Sequence, residues 1–186
     1  QDSWIKGGRE AQKRFNAHKD DFYWAKEYIY GIEKDYRLAK TTKISTFLNG
    51  DGDANIICGD GLENFNYSKE YTGKLKISYN GIDNEQFDIL VANPPYSVSG
   101  FKTTLLNGNQ TFSLFKDFSD QSSEIECLFV ERMKQLLKTD GVAGIILPSS
   151  LLQGNVYSKT REIIFKFFEI KGIVEVGENA FMETTK

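Results

Sequence analysis

FDILVANPPY, residues 87–96, is an apolar run of strand length that ends on two adjacent prolines. Neither proline donates to a β-ladder, so the strand cannot continue past Ala92. The near-continuous apolarity of residues 87–92 predicts a parallel strand covered on both faces. Asn93, Pro94, Pro95 and Tyr96 are then displayed at its C-terminal end. The peptide groups at 93–94 and 94–95 lack an N–H, so this tetrad is rich in acceptors and ends in an aromatic ring. Such a set suits a pocket that grips an amino group lying against a flat ring.

Upstream, residues 28–32 alternate as a short strand ending at Glu33-Lys34-Asp35. Residues 36–48 read as a helix with Leu38, Ala39, Phe47 and Leu48 on or near its buried side, closed by Asn49-Gly50-Asp51-Gly52. Residues 54–58 form a second strand running into Gly59-Asp60-Gly61, and 62–86 read as a surface excursion with a minor hairpin near residues 75–79. Downstream, the polar stretch 97–122 reads either as a substrate-closing loop, with Phe101, Phe112, Phe115 and Phe118 as contacts, or as a partly ordered insertion. Ser123 and Glu126 match a capping box. They open a helix with Ile125, Leu128, Phe129, Met133, Leu136 and Leu137 at helical spacing, ended by Asp140-Gly141. Residues 142–147 form a strand stopped by Pro148, residues 159–168 a helix, and residues 170–176 a last strand. The rhythm β-α-β-β-α-β-α-β predicts an open α/β sheet over residues 28–186, preceded by a helical or partly ordered segment, 1–27.

With 186 residues, 40% of them hydrophobic, the chain is long enough for one domain with a real core. Its apolar stretches are of strand length, which excludes a membrane-spanning helix. The net charge of -3 is no footprint for strong autonomous nucleic-acid binding. Any phosphate contacts are expected mainly from another domain or subunit. The basic run from Lys6 to Lys19 reads as a solvated helix face. Cys58 and Cys127 are far apart and lack a CxxC partner, so no metal site is indicated. Both read as free thiols, which suits a cytoplasmic location. His18 is the lone histidine and reads as a surface residue.

Open parallel sheets bind ligands at the C-terminal ends of their strands. Glu33, Asp60 and Asn93 fall at three successive strand ends. Singly, Glu33 and Asp60 serve equally well as turn formers; together the three form a constellation. "YGIEKDYRLAK" (residues 30–40), "NIICGDGL" (55–62) and "FDILVANPPY" (87–96) resemble the core of N6-adenine DNA methyltransferases. The similarity is closest to the modification (M) subunit of type I restriction-modification systems and their fused relatives, and it spans most of residues 28–181. It implies a Rossmann-like S-adenosylmethionine-dependent methyltransferase fold and transfer of a methyl group from S-adenosyl-L-methionine to a flipped adenine in double-stranded DNA. Glu33 would accept from the cofactor ribose and Asp60 from its adenine amino group, with Ile32 and Leu62 against the ring. Asn93 and the Pro94 carbonyl would accept the two N–H bonds of the target amine, and Pro95 would help shape the loop. Tyr96 would stack on the base, returning about 1–3 kcal/mol against the few kcal/mol of extrusion. Phe181 stands where the family often has a second aromatic. A DNA-specificity subunit and a restriction subunit are the partners implied.

One family motif is missing: no glycine-rich turn after a first strand is present. The expectation is a truncated fold that lacks this strand and turn and the last strand, inactive by itself and weak in cofactor binding. Two rivals keep the same residues. One is an N-methyltransferase of a protein glutamine or an RNA base; the other is a non-catalytic nucleotide-binding or assembly module.

Overall fold

The computed structural model describes residues 8–10, 13, 25, 28–52, 55–75 and 86–177. The basic N-terminal run (apart from Arg9, Glu10 and Lys13), His18, the hairpin beyond Leu75 and Phe181 lie outside them. Strand β1 (Tyr30–Glu33) leads through helix α1 (Tyr36–Leu48) to β2 (Asn55–Cys58). The helix is the crossover that a parallel pair requires, and the pairing is parallel with Glu33 opposite Cys58. Asp35 caps α1 by accepting from the amides of Arg37 and Leu38. A hydrogen bond from the Arg37 side chain and these two amides hold its carboxyl down to about 2. Of the four residues expected on the buried side of α1, Ala39 is buried, while Leu38, Phe47 and Leu48 are exposed.

Past β2 the chain does not run over the surface as expected. Leu62, Phe65, Tyr71 and Leu75 are all buried, and the Phe65 and Tyr71 rings stack at 4.1 Å. Strand β3 (Phe87–Ala92) follows at the predicted bounds. Next come two one-turn helices, α2 (Phe101–Thr104) and α3 (Gly108–Thr111), and a 3-10 turn at Ser113–Asp117. Helix α4 (Glu126–Leu136) feeds directly into β4 (Leu137–Ile145). Asp140 sits there at φ 63°, and the register with β3 shifts between Phe87 and Ile89. Short 3-10 turns at Ser149–Leu152 and Asn155–Tyr157 lead into α5 (Ser158–Phe167).

Further expectations are corrected. Among the described residues the strands form two separate two-stranded parallel sheets, β1–β2 and β3–β4, rather than one sheet. The Tyr30 and Phe87 rings, one from each sheet, meet edge to face at 5.5 Å. Strand β3 is not covered on both faces along its length: Phe87 at its start and Leu90 pack against the second core, while Ile89 and Val91 are 70% and 83% exposed. Residues 170–176 form no strand, because no described neighbour offers them a ladder, and Ile173 and Val174 stand exposed.

Stretch 97–122 is the largest correction. Phe101, Leu105, Phe112, Leu114, Phe115 and Phe118 are buried with Leu62, Ile125 and Leu128 in the main core. The four phenylalanines are therefore structural and do not form a substrate-facing lid. A second core, of Ile57, Phe65, Tyr71, Leu75 and Leu136, lies under β1 and β2.

Candidate functional site

Glu33 ends β1 half-buried, and one of its oxygens accepts from the Asp35 amide at 2.8 Å. This bond bends the chain from strand into α1 and leaves the other oxygen without a described partner. Across the ladder, the Gly59 amide donates to the Glu33 carbonyl at 3.0 Å, which carries β2 one residue further before the turn at Asp60. Asp60 Oδ1 accepts from the Leu62 amide at 2.9 Å, an Asx turn. Its Oδ2 pairs with Lys34 Nζ at 2.6 Å. The lysine is largely solvated, so this pair contributes little to stability. Tyr71 donates its hydroxyl to the Asp60 carbonyl at 2.8 Å. A Cβ on Gly59 would stand 2.9 Å from that hydroxyl, so glycine is required for the approach. Burial is the main cause pushing the Tyr71 phenol up.

Ile32 is half-buried against the second core. Leu62 is 1% exposed and belongs to the main core, so its side chain is not a free pocket wall; its amide shapes the Asp60 turn.

At the end of β3, Asn93 and Pro95 are exposed, Pro94 is buried and Tyr96 is half-buried. The Tyr96 hydroxyl donates to Asn93 Oδ1 at 3.3 Å. The amide oxygen singled out as an acceptor is thus capped by its own neighbour. Burial first, and the Glu126 charge second, push the Tyr96 phenol up.

Ser97 then adopts φ 52°, and its amide donates to Glu126 Oε2 at 3.3 Å. Glu126 is fully buried, and its Oε1 accepts from Tyr157 at 2.8 Å. Ser150 donates to the Tyr157 hydroxyl at 3.4 Å. Glu126 is therefore no capping-box member: its partners lie 29 and 31 residues away, and no side-chain cap closes α4. Ser123 donates its amide to Glu124 instead.

Sequence reasoning missed Tyr71, Glu126 and Tyr157. A glutamate inside the apolar string Ile125–Val130 was the one available sign, and it was read as a cap.

Two concavities, of about 110 and about 470 Å³, lie around the Ser113–Asp117 turn, α4 and α5. None of Glu33, Asp60, Asn93 and Tyr96 lines either of them. Among the described residues no His, Cys, Asp and Glu cluster is placed to hold a metal ion, and no helix is long and apolar enough to cross a membrane. The Asp60 turn and the tetrad share a support in α4. Phe129 lies 3.5 Å from where a Gly61 Cβ would stand, and Glu126, one turn earlier, holds Ser97.

A family model described as Eco57I restriction-modification methylase matches residues 27–181. The chain is 27% identical over 174 residues to the type II restriction enzyme and methyltransferase RM.Eco57I of Escherichia coli, a match covering 81% of this chain and 17% of that protein. It is 28% identical over 120 residues to a candidate type II restriction enzyme and methyltransferase of Methanocaldococcus jannaschii, covering 64% of this chain and 10% of that protein. The chain spans less than a fifth of either relative's length.

Proposed function

Because the chain belongs to the Eco57I restriction-modification methylase family, we propose that it carries the nucleoside-binding and target-binding parts of a DNA adenine-N6 methyltransferase using S-adenosyl-L-methionine. The observation that carries this reading is the placement of Glu33, Asp60 and Asn93 at the ends of β1, β2 and β3, with the Asp60 turn and the tetrad supported by one helix. The residues fit the nucleoside half of the cofactor. Glu33 keeps one oxygen for a ribose hydroxyl, and Asp60 has lone pairs beyond those used by Lys34 and Leu62. Ile32 offers an apolar ring contact, and Leu62 serves through its backbone. The glycine-rich turn for the methionine half is not in this sequence, so no role is assigned to that half. The parallel pairing of β1 with β2 and of β3 with β4 supports a Rossmann-like reading.

When bound, the cofactor supplies an electrophilic methyl group on a sulfonium. An exocyclic adenine nitrogen is a poor nucleophile because its lone pair is delocalised into the ring. Asn93 Oδ1 and the Pro94 carbonyl accept its two hydrogens and draw the lone pair out of conjugation. Those bonds strengthen as positive charge develops on nitrogen, so they favour the transition state. Tyr96 releases Asn93 Oδ1 as the amine arrives and lays its ring on the base.

The relatives are described as type II restriction enzymes and methyltransferases. We therefore place the chain in a fused type II enzyme acting on double-stranded DNA, in preference to a type I modification subunit with separate specificity and restriction partners. The rest of such a polypeptide supplies most phosphate contacts, consistent with the net charge of -3 here.

The test uses the full-length protein with tritiated cofactor on duplex DNA, RNA and a glutamine peptide. The expected product is N6-methyladenine in DNA. Asn93→Ala is expected to lower kcat by about 10²–10³, the cost of losing one donor–acceptor contact to developing charge. Its melting temperature stays put, because Asn93 is exposed. A wild-type rate in Asn93→Ala, or label on RNA or peptide alone, refutes the assignment.

A further inference from the structure

We propose that Glu126 is a positioning residue for the target site, holding the Asn93–Tyr96 loop in its working conformation through the Ser97 amide. The proposal rests on the methyltransferase reading. Pro94 and Pro95 have fixed φ, so the direction of the loop's exit is set mainly at Tyr96 and Ser97. Ser97 occupies the left-handed region at φ 52°, which a non-glycine residue keeps only when its surroundings enforce it. The enforcing contact is the bond from its amide to Glu126 Oε2. Glu126 in turn cannot swing away. It is 0% exposed in the first turn of α4, and Tyr157 grips its other oxygen at 2.8 Å.

A helix-capping role does not account for this arrangement, since the carboxylate spends its described bonds on distant segments rather than on α4. The position of the N-terminal turn adds to the hold, because the partial positive charge there favours a carboxylate. Ser150, in the turn after β4, supports Tyr157, so the exits of β3 and β4 are tied through one carboxylate. The effect of Glu126 on the Tyr96 phenol places the two within electrostatic reach.

The experiment compares Glu126→Gln, Tyr157→Phe, and Glu126→Gln combined with Ser97→Gly in the full-length protein. A duplex carrying 2-aminopurine at the target position reports on the extruded base. The expected result is a fall in kcat of about 10- to 100-fold, the scale of a small misplacement of reacting groups. KM for DNA and for cofactor stays within about threefold, and the 2-aminopurine emission changes. Glycine takes φ 52° without enforcement, so Ser97→Gly restores about tenfold of the loss in the Glu126→Gln background. An unchanged kcat in Glu126→Gln, or a loss that Ser97→Gly does not restore, overturns the proposal. Should Glu126→Gln fail to fold, Tyr157→Phe decides by the same split of kcat from KM, because it keeps the carboxylate and removes one donor. Asn93→Ala runs alongside. If it is inactive while Glu126→Gln is fully active, only the positioning role fails; if Asn93→Ala is itself fully active, the methyltransferase reading has failed.

Discussion

Phe101→Ala distinguishes core from lid in the stretch 97–122. Phe101 is 1% exposed, and its ring meets Phe118 edge to face at 5.5 Å. Truncation loses a transfer free energy of about 1.5–3 kcal/mol for the side chain. It also loses about 0.5–1.5 kcal/mol for the aromatic pair and leaves a cavity that the neighbouring Leu105 and Phe118 fill only in part. Together these give about 3–5 kcal/mol, the range seen when a buried phenylalanine becomes alanine. At 1.36 kcal/mol per decade, hydrogen-exchange protection across residues 97–122 should fall by about two to three and a half decades. The assay is exchange mass spectrometry on the full-length protein, with steady-state kinetics in parallel. A mobile lid behaves in the opposite way: its aromatics are exposed in the free enzyme, so truncation raises KM and leaves protection alone. Protection unchanged within about tenfold, together with a raised KM, would refute the core assignment.

Tyr71→Phe removes the hydroxyl that holds the Asp60 carbonyl and keeps the ring stacked on Phe65. Stability should fall by about 0.5–1.5 kcal/mol and cofactor affinity should drop while kcat at saturation holds; equal affinity by calorimetry would remove Tyr71 from the site. Burial, only partly offset by a hydrogen bond with Thr160, pushes the Cys127 thiol up to about 12 from its ordinary value of 9.0. Between those pH values the unfolded chain ionises Cys127 and the folded chain does not, so stability should decline as pH rises through this window, and Cys127→Ala should flatten the decline in urea melts. At pH 8, iodoacetamide should spare Cys127 in the native protein, as mass spectrometry of the digest would show.

What could be read in the sequence was what depends on local pattern. The end of α1 followed from the Asn49-Gly50 stop behind it, and the bounds of β3 from a run ended by prolines. The core in 97–122 was hidden because it is built from one-turn helices and a 3-10 turn. Its apolar residues therefore follow neither the period of a strand nor that of a helix. Aromatic density in a polar stretch was the usable sign. Residues 170–176 alternate as a strand should, but a strand exists only with a partner, and partnership is not local. Ser123-x-x-Glu126 fits the capping pattern, yet Tyr157 outbids the helix end for the carboxylate. Among the candidate site residues, the positions of Glu33, Asp60 and Asn93 after strands were legible because turns after strands are; the residues that hold them in place were not.

Helix α4 is where the two halves of the site become one problem. Leu128 sits in the main core and Leu136 in the second, so the helix is shared by both. Phe129 packs beside Gly61 next to Asp60, and Glu126 fixes the exit of the tetrad. Arg132 adds a third tie. Its guanidinium lies over the rings of Phe65 and Phe112 and donates to the Glu63 carbonyl at 2.7 Å, while burial pushes its pKa down. Two of its nitrogens have no described partner, so this contact is a costly way to gain stability. A buried apolar side chain would fill the space more cheaply. What the arginine adds is a directional bond from α4 to the segment carrying Asp60, and the methyl transfer proposed above would depend on direction. Donor and acceptor atoms react only from about 3–3.5 Å with aligned orbitals, and under the proposed function they would be held by two sheets that, among the described residues, share no ladder. The spacing between the proposed nucleoside and target halves would therefore rest on side chains of α4 together with the Tyr30–Phe87 contact.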